Sequence, residues 1–315
     1  MNRQSQSGAV ACLLLAAVTW GSAFAVGKAA LTVIDAYHLT SIRYGIAALV
    51  FVGWLWRVEG RGALKSDGRA GRILLLGTVG IGGGVLLMFI GLAHTRAEHA
   101  AVIVASQPLM AALLGWAFQG RRPARRTLFA IALALTGVGL VVTRGDPRSL
   151  SGAAASDLLV LAAALCWVAY TLGAGAFPAW SALRYTALTA TAGALSVVAA
   201  TASAAALGAA SVPGAGQIAS VGWEIGYITL GSAVLGTLGW NSGIRRIGAE
   251  GVLFINFVPV TAFVIGVFQG YRFNWAEIIG SVLVVAALLA NHFLAARASA
   301  LQEEPDERRR SRPVP

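Results

Sequence analysis

The sequence has little charge. Asp, Glu, Lys and Arg make up only 12% of its 315 residues, where a soluble domain carries about 25%. That deficit argues against an ordinary soluble globular protein. Acidic residues are scarcer still, 13 against 24 Lys and Arg. None of them falls at the centre of an apolar run, which argues against a relay of carboxylates through a membrane interior. There are two cysteines, Cys12 and Cys166, both inside apolar runs, so a disulfide framework is excluded and both read as small core residues. The sequence has no Gly-x-Ser-x-Gly elbow, no His-Glu-x-x-His and no acid pair inside a run, so it offers no catalytic constellation and no cofactor site. His94, Glu98 and His99 cluster at one turn, but they lack the spacing of a zinc-binding helix, and no metal site is read there.

Long apolar runs dominate instead. The chain is 57% hydrophobic, with a mean hydropathy of +0.73. A membrane-crossing helix needs about 20 apolar residues. Ten runs qualify: 8–30, 37–56, 73–93, 100–119, 127–143, 157–177, 183–208, 221–240, 247–269 and 275–296. They are too long and too uniformly apolar for the alternating strands of a barrel, so helices are expected. Ala23-Phe24-Ala25 resembles a leader cleavage site. The apolar run continues past it, and 8–30 is therefore read as a span. The charged, proline-bearing segment 297–315 reads as a disordered tail.

The net charge of +11 could suggest a nucleic-acid partner, but its placement does not. With the N-terminus cytoplasmic, the cytoplasmic segments collect Arg57, Arg61, Lys65, Arg69 and Arg72, then Arg121, Arg122, Arg125 and Arg126, then Arg184, Arg245, Arg246 and the basic tail. Lys28, Arg43, Arg96, Arg144, Arg148 and Arg272 remain for the other side or the spans beside it. This is the positive-inside pattern, and it puts both termini in the cytoplasm of a multi-pass protein of the inner (plasma) membrane. No nucleic-acid partner is expected. The expected partners are the bilayer and a small-molecule substrate, and the protein is expected to be a monomer or a homodimer.

One passage occurs twice. QPLMAALLGWAFQG (107–120) and VPVTAFVIGVFQG (258–270) are each apolar, opened by a proline and closed by Phe-Gln-Gly. Pro108 and Pro259 are 151 residues apart; Thr19-Trp20 and Cys166-Trp167 repeat at 147. Five spans per repeat is an odd number, so the second half is inverted in the bilayer, the topology that permits alternating access. The expected architecture is an all-α integral membrane protein of ten transmembrane helices, as two inverted five-helix repeats over 8–143 and 157–296.

TWGSAFAVGKAAL (19–31), SIRYGIAAL (41–49), HTRAEHAAVIVASQPLMAALLGWAFQG and RRIGAEGVLFINFVPVTAFVIGVFQG together resemble the EamA-type transporters of the drug/metabolite transporter superfamily. The resemblance covers about residues 10–295. It implies a carrier, an exporter in the reading adopted here, of small metabolites such as amino acids or drug-like compounds. The first four helices of each half would line the cavity. Family members usually close each proline helix with Gly-Glu; here Arg121 follows Gly120 and Tyr271 follows Gly270. The alternatives are a membrane-embedded enzyme or a non-transporting membrane protein.

Several polar and aromatic residues inside the runs are candidates for substrate contact. Arg43 either holds a substrate carboxylate or pairs with Asp35 or a backbone carbonyl. Lys28 reads as snorkelling to the outer interface. Gln107 and Asn256 flank Pro108 and Pro259, where each amide either bonds freed backbone or meets ligand. Trp20, Trp167, Tyr170 and Trp240 lie on the cavity helices that the resemblance implies. Trp54, Trp56, Trp180, Trp223 and Trp275 sit near run ends and read as an interfacial belt. Gating candidates are the glycines Gly82 and Gly83, the prolines, and Glu98 with His99, which otherwise read as a solvated turn. Glycines spaced as Gly80/Gly84, Gly222/Gly226 and Gly239/Gly243 are candidates for close helix approach.

Overall fold

The computed structural model describes residues 3–120, 122–146, 153–247, 251, 254, 255, 257–287, 289 and 290. These are helical, with no strand among them. Six helices are long and apolar enough to cross a membrane, or seven when one bent pair counts as a single span.

We number the helices α1 (Arg3–Ala30), α2 (Ala36–Glu59), α3 (Ala70–His94), α4 (Ala97–Ala105), α5 (Gln107–Gln119), α6 (Arg125–Thr143) and α7 (Ala153–Gly173). They continue as α8 (Ala182–Ala206), α9 (built from Gly222–Gly226, Tyr227–Gly236 and Thr237–Ile247), α10 (Phe257–Phe268) and α11 (Trp275–Ala287). Three of the expected spans are delimited differently, and for 247–269 the described helix is Phe257–Phe268, with 12 residues. The 100–119 run breaks at Ser106 by 46° into α4 and α5. The eighth run carries its helix on to Ile247.

Local sequence sets the ends. Asp35 caps α2 by accepting from the His38 amide at 3.0 Å, and Ser181 caps α8 by accepting from the Arg184 amide at 2.8 Å. Either side chain satisfies a donor that helix geometry leaves free. Phe-Gln-Gly is repeated because each proline helix ends on a left-handed residue. Gly120 has φ 66° and Gly270 φ 82°, a conformation that favours glycine. Pro108 is the second residue of α5 and Pro259 the third of α10. Each therefore opens a helix, where its missing N–H costs nothing, rather than kinking one from within.

The third helix of each sequence half contains a stretch of wide turns. Leu76–Gly83 in α3 and Tyr227–Gly236 in α9 are π-helical and begin 151 residues apart, the spacing of the two prolines. Such stretches are rare and cluster at functional sites. The packing is reciprocal: the wide stretch of α3 lies on α7 and α8, and that of α9 lies on α1 and α2. α2 and α8 pack on each other between them. Glycine permits the closest approaches. A Cβ on Gly77 would sit 2.5 Å from the Thr189 carbonyl oxygen of α8. Gly137 and Gly280, on α6 and α11, each present that same 2.5 Å approach to the other's carbonyl. Of the spaced glycine pairs, Gly239 and Gly243 press on Cys12 and Leu13 of α1, and Gly80 presses on Tyr170. Gly222 and Gly226 have nothing within 4 Å, so that pair makes no close approach to another described residue.

Candidate functional site

A cavity of about 100 Å³ lies between α1, α2, α3, α4, α5, α7 and α9. Trp20, Arg43, Gln107 and Trp167 line it together. Sequence reasoning missed Ser232 and Thr237, which also line it. Each is a small polar residue in an apolar run, and no spacing set it apart from the other Ser and Thr of the chain.

Arg43 is the only ionisable group among those six. It is 5% exposed and stands two turns into α2. Its Nε donates to the Ile228 carbonyl at 2.8 Å and its Nη2 to Ser232 Oγ at 2.8 Å. Phe89 and Tyr44 put ring faces 4.9 and 5.3 Å from its Cζ. Of the two structural partners open to it, it takes a carbonyl and not Asp35. The wide turns of α9 supply that acceptor. Trp20 uses the same stretch, donating Nε1 to the Ser232 carbonyl at 3.1 Å, and Ser22 Oγ meets Tyr227 Oη at 2.5 Å.

The rings form a column leading away from the cavity. Trp20 meets Trp167 edge-on at 5.5 Å, Trp167 meets Tyr170 at 5.1 Å, and Tyr170 stacks on Tyr185 at 5.0 Å. Phe177 and Trp180 continue it at 5.4 and 4.6 Å. Tyr170 and Trp240 stand behind the cavity wall rather than in it. Tyr170 is fully buried, and its hydroxyl accepts from Asn241 Nδ2 at 3.1 Å. Trp240 packs on Trp20 at 5.3 Å, and its indole N–H is buried without a hydrogen-bond partner. Asn241 also donates to Thr186 at 2.7 Å. Trp180 is buried, with only 5% exposure, so it belongs to this column and not to an interfacial belt. The belt reading rested on its place near a run end, but the 174–181 segment folds inward there. Trp54, Trp56, Trp223 and Trp275 are exposed as expected. Asn256 lies outside the described residues.

The rim beyond the column carries Arg69, Arg184 and Arg245. Arg184 reaches Asp67 at 2.7 Å, Arg69 donates to the Ala176 carbonyl at 2.7 Å and Ser181 Oγ to Glu59 at 2.5 Å. Arg245 donates to the Trp180 carbonyl. These contacts tie the 59–69 connection to the 174–184 connection.

The opposite end of the bundle corrects two expectations. Lys28 does not snorkel outward. Its Nζ donates to the Leu92, Ala93 and Thr95 carbonyls at 2.7, 2.8 and 2.7 Å, closing the free end of α3. Glu98 and His99 are not a solvated turn; they are buried at 8% and 6% exposure. A Cβ on Gly266 would meet Glu98 Oε1 at 2.5 Å, which measures how closely that carboxylate lies on α10. His99 stands between two acids, with Nε2 3.2 Å from Glu277 Oε1 and Nδ1 3.8 Å from Asp157 Oδ2. Arg144 lies 3.3 Å and Arg96 3.8 Å from the same Glu277 oxygen. Tyr271 donates to Glu277 at 2.5 Å and accepts from Arg96. Glu277 and Asn274 satisfy each other's backbone N–H at 2.8 Å, a capping box that opens α11. Burial and the Glu277 carboxylate push the Tyr271 hydroxyl up to about 12. Tyr271, which follows Gly270, thus engages a glutamate six residues further along the chain.

Of the gating candidates, Gly82 faces α8, with its Cβ position 2.2 Å from Ser196 Oγ. Gly83 faces α7 more loosely, 3.8 Å from Cys166 Sγ. Among the described residues no group of three or more His, Cys, Asp or Glu side chains could hold a metal ion.

The profile of the EamA-like transporter family matches residues 7–143. The chain is 31% identical over 292 residues to a protein of Bacillus subtilis (strain 168) named "Uncharacterized transporter YrdR", covering 90% of this chain and 91% of that protein. A second Bacillus subtilis protein, "Uncharacterized transporter YyaM", is 30% identical over 78% of this chain and 81% of its own length. A solved structure titled "Crystal structure of protein" superposes with a TM-score of 0.66 at 22% identity, over 93% of this chain and 99% of that one. Likeness at that identity speaks to the fold alone.

Proposed function

The chain belongs to the EamA-like transporter family, a family of multi-pass membrane proteins, and on that premise we propose that it carries small metabolites outward across the cell membrane by alternating access. In this reading it is a non-enzymatic carrier built of ten helices in two inverted halves, with both termini cytoplasmic. The observation that carries the reading is reciprocity. Each half contributes a third helix with wide turns, and each such helix packs on the first two helices of the other half. The cavity lies at that exchange, lined from both halves by Trp20, Arg43 and Gln107 on one side and Trp167 and Ser232 on the other. A site at the interface of inverted repeats is the arrangement from which rocking exposes one pocket to either face. The positive-inside pattern supports the cytoplasmic placement of the Arg245 rim.

The test is a reversible lock. Glu59 and Ser181 touch across the two rim connections. The pair Glu59→Cys and Ser181→Cys, in a chain with Cys12 and Cys166 replaced by alanine, is expected to stop metabolite flux in proteoliposomes when oxidised and to restore it when reduced. Flux unaffected by the lock would overturn alternating access through this rim.

A further inference from the structure

We infer that the substrate is a small organic monoanion: a carboxylate held by Arg43 with an apolar body against the cavity's rings. The inference rests on the carrier reading only for the site's role in transport; the binding it predicts is measured without flux.

A guanidinium taken out of water needs compensation by an anion or by a full set of acceptors. Arg43 has a carbonyl, a hydroxyl and two ring faces, and among the described residues no carboxylate within ion-pair range. These contacts use Nε and one Nη2 hydrogen. They hold the planar fork in place and leave donors unclaimed at the cavity that Arg43 lines. A fork fixed along one edge and open along the other is suited to a carboxylate, which it binds in two parallel hydrogen bonds.

The rest of the lining narrows the class. Among the described residues no acid lines the cavity, so the ammonium of an amine or a zwitterion would enter a site already carrying one positive charge and meet no counter-anion there. The cavity remains +1 with a zwitterion and becomes neutral with a monoanion. The other lining groups are Gln107, Ser232, Thr237 and apolar or aromatic side chains such as Met88, Phe89 and Trp167, which suit a body without charge. The space is small, about 100 Å³, which suits a compact body.

A matched series tests this on the unaltered protein in detergent: isovalerate, valine, isovaleramide and isoamylamine share one branched skeleton and differ in charge. Binding is read from the fluorescence of the cavity tryptophans and from the melting temperature, with chloride as the inorganic control. Isovalerate is expected to bind at least tenfold more tightly than the other three, and Arg43→Gln to lose that preference while Arg43→Lys keeps part of it. Valine or isoamylamine binding as well as isovalerate would overturn the inference, as would an equal response to chloride or an Arg43→Gln protein that still prefers isovalerate. The ligand series needs no variant, so it decides the question even if Arg43→Gln does not fold. Binding of isovalerate by a protein that transports nothing would refute the carrier reading and leave the site assignment standing. Flux of amines alone would do the reverse.

Discussion

The two ends of the bundle are closed by different chemistry. At the Lys28 end, the chain buries carboxylates: Asp157 and Glu277 flank His99, and the solvent-accessible Arg96 and Arg144 reach the same Glu277 oxygen. Towards the Arg245 end, below the cavity, the buried contacts are neutral: stacked rings, Asn241 on Tyr170 and Thr186, and the Tyr185 hydroxyl on the Tyr170 carbonyl at 2.7 Å. Among the described residues charges appear there at the rim, as in the pair of half-buried Arg184 with exposed Asp67. Opening the first end separates ions into whatever solvent enters. Opening the second separates rings and amides, which interact with water more weakly. The first should therefore respond to salt and to charge-removing substitutions, and the second to shape.

The largest effect expected from that contrast is at Glu277. Glu277→Ala removes the acceptor shared by Tyr271, His99 and the α11 cap, and takes the counter-charge from the solvent-accessible Arg96 and Arg144. Losing three hydrogen bonds to one buried carboxylate costs about 3 kcal/mol, expected as the steepest fall in melting temperature among these variants. An unchanged melting point would mean that the charged end does not hold the fold. Gly77→Ala comes next. Its Cβ would sit 2.5 Å from backbone on α8, and overpacking of this kind costs about 2 kcal/mol. Gly83→Ala has its nearest neighbour at 3.5 Å and should melt like the parent; equal damage from both would show that the wide turns themselves, not the contact, forbid a side chain. Asn241→Ala takes a donor from two buried hydroxyls, Tyr170 and Thr186, of which Thr186 keeps its bond to the Ala182 carbonyl, for about 1.5 kcal/mol, and its effect should be the same at low and high salt, unlike that of Glu277→Ala. A salt-dependent Asn241 effect would erase the distinction between the ends.

The smallest effect is at Tyr271, where Tyr271→Phe removes the bond to Glu277 and the one from Arg96; both partners keep other contacts, and the net loss is about 1 kcal/mol. Its pH dependence follows from the raised value. The neutral phenol is favoured in the folded protein, with ionisation moved from 10.0 to about 12. The contribution is therefore intact below pH 10 and is lost as the pH rises through about 12. A melting curve followed across that window should fall more steeply for the parent than for Tyr271→Phe.

The contrast also marks how far the sequence could be read. The helices and the glycine ends of the two proline helices were legible because apolar runs, prolines and Phe-Gln-Gly are local signals. Arg43 was legible as a candidate because an ionisable group in an apolar run is costly wherever it goes. Its partners were not, since Ile228 and Ser232 lie in the other half and nothing in α9's composition indicates that its turns widen and present carbonyls. Lys28, Glu98 and His99 were misjudged for a related reason. Position near the end of a run suggests contact with solvent, but the converging termini of α3, α7 and α11 enclose that end. Trp180 was misjudged in the same way at the opposite rim. Asn241 went unremarked beside Trp240, because one amide among glycines and serines carries no pattern until Tyr170 and Thr186 are brought to it.

The wide turns of α9 have a consequence for aim. In an α-helix each residue advances the side-chain direction by about 100°. Every extra residue accommodated in a wide turn therefore offsets all that follows by about that angle, while the axis of the helix keeps its course. Tyr227–Gly236 thus acts as a phase shifter: it sets which way Thr237, Trp240 and Asn241 point without altering where α9 begins or runs. Deleting a single residue there would leave a helix of nearly the same length in the same place, with Asn241 facing away from Tyr170 and Thr237 turned from the cavity.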